Sequence, residues 1–193
     1  SLDYDHVDIY PTPEDYQAAF RQFEAQSQQV IKEIAPDPRL SLSGAVRRQD
    51  ATLALSALKI AFPDLPEAKI INVLNQFPGA NRRFERLTDG VYSDYAHHPQ
   101  EIAATLQIAS EEAQKLAKKG IVVIYQPHQN TRQHQVKSGY KTAFSHIDRL
   151  CWLPTFLTRE DPNLPLISPA EFIKNLQNPA IATPANLDSN LAT

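Results

Sequence analysis

Apolar residues recur at helical spacing early in the chain and in short continuous runs later, and the change of period falls near residues 77–79. Thr12-Pro13-Glu14-Asp15 supplies an N-cap residue, a proline for the first helical position and acids for the first turn. Tyr16, Ala19, Phe20, Phe23, Val30 and Ile34 follow on one face, which predicts a single long amphipathic helix reaching residue 34. Residues 50–61 and 66–77 predict two more helices, broken apart by Phe62-Pro63-Asp64-Leu65. From Gly79 onward, strands near 91–94, 121–125, 150–153 and 179–182 alternate with helices near 99–118, 134–147 and 168–177. Such alternation predicts an α/β unit with a Rossmann-like, mostly parallel sheet and right-handed crossovers, preceded by a mainly helical segment. Phe77-Pro78-Gly79 reads as the hinge between the two, which gives domains at 1–78 and 79–193.

Individual runs refine this picture. Gly90-Val91-Tyr92-Ser93 reads as a brief buried strand. Ile121-Val122-Val123-Ile124-Tyr125 is apolar without alternation, the pattern of a strand covered on both faces. Cys151 beside Trp152 reads as a small buried hydrophobe, and as the one cysteine in the chain it forms no intrachain disulfide.

Composition narrows the function classes. A hydrophobic fraction of 42% over 193 residues suffices for a packed core, and a net charge of −3 with interspersed signs leaves no basic stripe for nucleic acid. No apolar run is long enough to span a bilayer, and residues 1–20 show no signal-peptide pattern. None of the five glycines sits in a G-x-x-x-x-G-K-[ST] phosphate loop, and no G-x-G-x-x-G dinucleotide fingerprint occurs. The sequence does not fix an oligomeric state.

Chemistry concentrates at two strand ends. Asp94-Tyr95-Ala96-His97-His98-Pro99 links the strand near 91–94 to the helix that opens at Pro99, with Glu101 in its first turn. The strand near 121–125 runs straight into Gln126-Pro127-His128-Gln129-Asn130-Thr131-Arg132. The carboxyl ends of strands are where open α/β sheets bind ligands, so two adjacent ends here offer convergent polar groups.

These segments carry a resemblance. Gln76-Phe77-Pro78-Gly79-Ala80-Asn81-Arg82-Arg83-Phe84-Glu85, then Asp94 to Pro99, then Gln126-Pro127-His128 with Arg132, in this order and spacing, resemble the Mur ligases. Asp5-His6-Val7-Asp8-Ile9-Tyr10 resembles a segment of the family's central domain, so the likeness spans roughly residues 3 to 160. Within the family it is nearest the branch that joins L-alanine to UDP-N-acetylmuramate with ATP and Mg2+ in the cytoplasm. The resemblance implies that residues 1–78 are part of a central ATP-binding domain and residues 79–193 a C-terminal Rossmann-like domain. On that reading the chain is a C-terminal portion that lacks the phosphate loop and the UDP-sugar domain and is inactive alone.

Residue by residue, the resemblance implies catalytic roles for Arg83 and His97, with Arg83 reaching the nucleotide phosphates. It places Asp94 and Asp50 with Arg83 on the nucleotide, and Tyr95, His97, His128, Gln129 and Arg132 on the amino acid, with His6 on magnesium. Two departures stand out. Gln129 replaces an arginine, and Val46, Arg47 and Asp50 replace a His and two Asn that hold the adenine in the family. Plain structural readings compete: Arg83 paired with Glu85 or Asp89, Asp94 capping the following helix, His98 held by backbone groups. At the level of function the alternatives are a ligase that recycles a murein tripeptide, and a binding or regulatory module without catalysis.

Overall fold

The computed structural model describes residues 4, 9–32 and 34–185. Helix α1 (Pro13–Gln26) starts as its sequence dictates: Thr12 Oγ1 accepts from the Asp15 amide at 3.1 Å, and the Asp15 carboxylate accepts from the Thr12 amide at 3.2 Å. It ends well before residue 34. Ser27 closes the last turn by donating its amide to Glu24 O and its hydroxyl to Phe23 O. No residue of α1 is buried, so no packing offsets the entropy of extending the helix through the following glutamines.

Helix α2 (Ala45–Ala61) begins five residues ahead of its predicted start, and α3 (Glu67–Asn75) stops short of Phe77. The early start follows from Gly44, whose φ of +85° favours glycine and whose missing Cβ lets the chain approach closely; a Cβ there would collide with Ile108 Cγ1. Ile108 belongs to helix α4 (Pro99–Lys115), on which α2 packs. Polar contacts fasten the same junction. The Gly44 amide and Arg48 Nη1 each donate to Glu111 Oε2 at 2.8 Å. Lys115 Nζ donates to Ser43 Oγ at 2.5 Å, and that hydroxyl donates to Glu112 Oε1. The helical segment is therefore held to the α/β part by side chains as well as by the connection at residues 77–79.

The α/β part opens with an antiparallel hairpin, β1 (Glu85–Thr88) and β2 (Val91–Ser93), turning at Gly90. This corrects the expectation of a buried strand within the parallel sheet. The backbone groups of β2 pair with β1, and Val91 is exposed. After α4 come β3 (Val122–Tyr125), α5 (Asn130–Val136), a 3-10 turn at Lys137–Gly139, α6 (Tyr140–Ala143), β4 (Arg149–Trp152), α7 (Pro169–Lys174) and β5 (Ala182–Pro184). The strands β3, β4 and β5 form a parallel sheet in that order, with Ile124 opposite Cys151 and Cys151 opposite Thr183.

The helix expected over 134–147 is divided, and its break at Gly139 lets the backbone press on Pro99, whose Cγ would lie 2.7 Å from an added Cβ. The strand expected at 179–182 starts at Ala182 instead, since Pro179–Ile181 forms a 3-10 turn.

One face of the sheet carries the core. Tyr125, Leu150 and Trp152 point toward Ile102 and Leu106 of α4, Tyr140 and Ala143 of α6, and Phe172 and Ile173 of α7. On the other face Val122 and Ile124 are 68% and 72% exposed, so β3 is not covered on both faces. Cys151 shares that open face and is only half-buried, which corrects its reading as a core residue.

Candidate functional site

The link between β2 and α4 is shaped by carboxylates accepting backbone amides. Asp94 Oδ2 accepts from the Phe84 amide at 2.6 Å and Oδ1 from the Ala96 amide at 2.7 Å, tying the stretch before β1 to the stretch after β2. Asp94 is thus not the cap of the next helix. His98 is, with Nδ1 3.4 Å from the Gln100 amide, in agreement with its reading as a structural histidine. Glu101 Oε2 completes the cap by accepting from the His97 and His98 amides at 3.1 and 3.2 Å.

Glu101 also joins two residues that the sequence assigned to different substrates. Its Oε1 lies 3.7 Å from Arg83 Nη1, and its Oε2 lies 3.5 Å from His97 Nδ1. Arg83 is therefore not paired with Glu85 or Asp89. Glu85 Oε2 accepts the Arg82 amide at 2.8 Å, while Asp89 faces Arg86 and Lys118. Burial opposes ionisation of Glu101, but the two amide bonds and the charges of His97 and Arg83 outweigh it and hold its pKa below the ordinary carboxylate value.

A group whose folded pKa is depressed adds stability above its unfolded pKa and loses it as pH falls through the folded value. Glu101→Gln should therefore lower the urea midpoint at about pH 7 and leave it near wild type at about pH 3. Equal losses at both pH values would show that Glu101 acts through packing and not through charge.

Asp50, Arg83 and Asp94, the three residues assigned to the nucleotide, line one groove of about 640 Å³ between α2, α3 and α4, together with Arg47 and Glu101. Beside it the residues assigned to the amino acid meet across the two strand ends. The Arg82 guanidinium sits 4.4 Å above the Tyr95 ring. Tyr95 packs edge-on to His97 at 5.2 Å, and the His97 and His128 rings are 5.8 Å apart. His128 stacks on Phe156 at 5.7 Å. Burial first, then the charges of His97 and Arg132, with Glu160 opposing, keep the His128 imidazole below its ordinary pKa.

Gln129, with φ of +62°, spends its side-chain amide on the Thr158 carbonyl at 3.3 Å and its main-chain amide on Phe156 O at 2.9 Å. Arg132 is half-buried on α5. His6, assigned to magnesium, lies outside the described residues. Among those described, no cluster of three His, Cys, Asp or Glu side chains could hold a metal ion, and no helix is long and apolar enough to cross a membrane.

Sequence reasoning passed over Glu101 and Phe156. Glu101 carried a signal, since a carboxylate three residues after a helix cap reads as a capping partner, and that role hid its proximity to Arg83 and His97. Phe156 had none: it reaches His128 only because β4 lies beside β3, where Phe156 N donates to Pro127 O at 2.8 Å.

A polar cluster where the ends of β2 and β3 meet, with a groove against a helical segment, gives an α/β protein with a candidate ligand site. Comparison with known proteins gives the family. Over 117 residues the chain is 37% identical to the UDP-N-acetylmuramate--L-alanine ligase of Campylobacter curvus, covering 58% of this chain and 26% of that protein. With the ligase of the same name from Caldicellulosiruptor saccharolyticus it shares 36% over 112 residues, 55% of this chain and 24% of the relative. With that of Acidobacterium capsulatum it shares 31% over 140 residues, 70% and 30%. No family model matches. The chain belongs to the Mur ligase family, and its matches span 24 to 30% of these relatives' length.

Proposed function

We propose that this chain is the nucleotide- and amino-acid-side portion of a cytoplasmic ligase that joins L-alanine to UDP-N-acetylmuramate at the expense of ATP. Residues 1–78 belong to a central ATP-binding domain and residues 79–193 to a C-terminal domain. The observation that carries this reading is the adjacency of two sets of residues: Asp50, Arg83 and Asp94 on one groove, and Tyr95, His97 and His128 beside it, bridged by Glu101.

In this reading ATP phosphorylates the muramoyl carboxylate and the amine of L-alanine then attacks the acyl phosphate, releasing phosphate. Arg83 stabilises the transferring phosphoryl group, a task suited to a guanidinium that is always charged and can fork onto two oxygens. Asp50 and Asp94 contact the nucleotide. His97, with Tyr95 and His128, orients the incoming amine. Arg132 holds the amino acid carboxylate, and Gln129 joins it only by releasing the Thr158 carbonyl. His6 would serve Mg2+. Without a phosphate loop or a sugar-binding part the chain by itself does not ligate.

Amide chemical shifts of the chain itself test this. Millimolar ATP should perturb the neighbourhood of Asp50, Arg83 and Asp94, L-alanine should perturb residues 95–97 and 128–132, and no phosphate should be released. Turnover by the chain alone would refute the inactivity. Two ligands moving the same residues, or neither moving any, would refute the assignment.

A further inference from the structure

Beneath the paired histidines lies a buried polar network that the proposed reaction does not use. Tyr125 ends β3 and Tyr140 begins α6; both are buried, and their phenol oxygens are 2.9 Å apart. Each lies within reach of the His97 carbonyl oxygen, at 3.3 and 3.2 Å. Gln133 of α5 is 0% exposed and donates Nε2 to the His128 carbonyl at 3.2 Å. Side chains from three elements thus converge on the main-chain carbonyls of the two residues whose imidazoles face each other.

Stability alone does not explain these groups. Among the described residues Gln133 Oε1 has no hydrogen-bond partner, and a buried unsatisfied acceptor is destabilising. An apolar side chain of similar volume would remove that burden and fill the same space, at the cost of the bond to the His128 carbonyl. Burial raises the pKa of Tyr125 and, against the hydrogen bond from Tyr125, that of Tyr140, so both remain neutral hydroxyls able to donate at physiological pH. The His97 carbonyl belongs to the link between β2 and α4, outside any strand, while His128 sits in a parallel bridge to Phe156 whose two backbone bonds use the Pro127 carbonyl and the Gln129 amide and leave the His128 carbonyl to Gln133.

We propose that Tyr125, Tyr140 and Gln133 are positioning residues: by hydrogen-bonding the His97 and His128 carbonyls from beneath, they set the spacing and facing of the two imidazoles. The consequence for substrate rests on the reading of His97 and His128 as amino-acid-side residues. The positioning itself does not.

Gln133→Met in this chain separates the two. It keeps the volume, removes the unsatisfied Oε1 and removes the bond to His128 O, so the two effects oppose each other and the unfolding midpoint should change little. Freed from its seat beside His97, Arg132, Glu160 and Phe156, the His128 ring should hydrate more, and its pKa, followed by NMR titration, should rise toward the ordinary histidine value. The double variant Tyr125→Phe, Tyr140→Phe should weaken the inter-ring contact of His97 and His128, seen as a reduced nuclear Overhauser effect. An unchanged His128 titration in Gln133→Met, together with an unchanged inter-ring contact in the double variant, overturns the proposal whatever the midpoints do. A change in either supports it. L-alanine then tests the site reading. If wild-type residues 95–97 and 128–132 respond to it, the response in Gln133→Met should weaken by about threefold or more while that of Arg83 to ATP holds. If wild type never responds, the amino-acid assignment fails and the positioning stands.

Discussion

Trp152→Ala should destabilise the chain by about 4 kcal/mol, read as a fall in the urea midpoint by far-ultraviolet circular dichroism. Trp152 is fully buried at the end of β4 and stacks on Phe172 of α7 at 5.1 Å with the rings 14° apart. Tyr125, Tyr140 and Phe144 pack around it with ring centroids 5.1 to 5.4 Å away. One side chain thus joins β3, β4, α6 and α7, and its removal leaves a cavity that none of these elements can fill without leaving the sheet. Trp152→Phe should lose much less, because the ring contact with Phe172 survives. As the one tryptophan in the chain, Trp152 also gives wild type a fluorescence reporter of this core. A loss below about 1 kcal/mol would mean that the core does not assemble around this ring.

Arg83→Ala should produce the largest functional effect. In a ligase polypeptide that supplies the phosphate loop and sugar-binding part ahead of this chain, kcat should fall by about a hundredfold, equivalent to about 3 kcal/mol of transition-state stabilisation. The KM values for ATP and L-alanine should change little, because on the proposed reading the guanidinium acts where charge develops and not in ground-state binding. Stability should hardly respond. Arg83 is 57% exposed, and its contact with Glu101 at 3.7 Å is a surface pair. Arg83→Lys should recover only part of the rate, since an ammonium cannot fork onto two phosphoryl oxygens. An unchanged kcat would remove Arg83 from the reaction.

The residues that form the site show why some of it could be read from the chain and some could not. Tyr95, His97 and His128 stood out because each falls just past a run of strand-like residues, and strand ends are fixed by local pattern. Asp94 stood out for the same reason, but its partners, the Phe84 and Ala96 amides, appear only when the hairpin folds Phe84 back beside it. Gln129 looked like a substrate residue from its place in the motif. In the fold its amide lies on the Thr158 carbonyl, because β4 returns beside β3 and brings residues 156–158 against it.

By itself the sequence determined what is local: the cap of α1 at Thr12 with its acidic first turn, the opening of α4 at Pro99 with Glu101 in its first turn, the strand at Val122–Tyr125, the polar clusters after two strands, and through their motifs the Mur ligase family. Caps and periodicity act over a few residues, so they survive without knowledge of the fold. Tertiary structure alone decided that β2 pairs in a hairpin, that Val122 and Ile124 face outward, and that Glu101 lies between Arg83 and His97. It also placed Gln133 under His128. An apolar run shows that a strand can be buried but not which of its faces is covered, since that depends on where helices distant in the sequence come to lie.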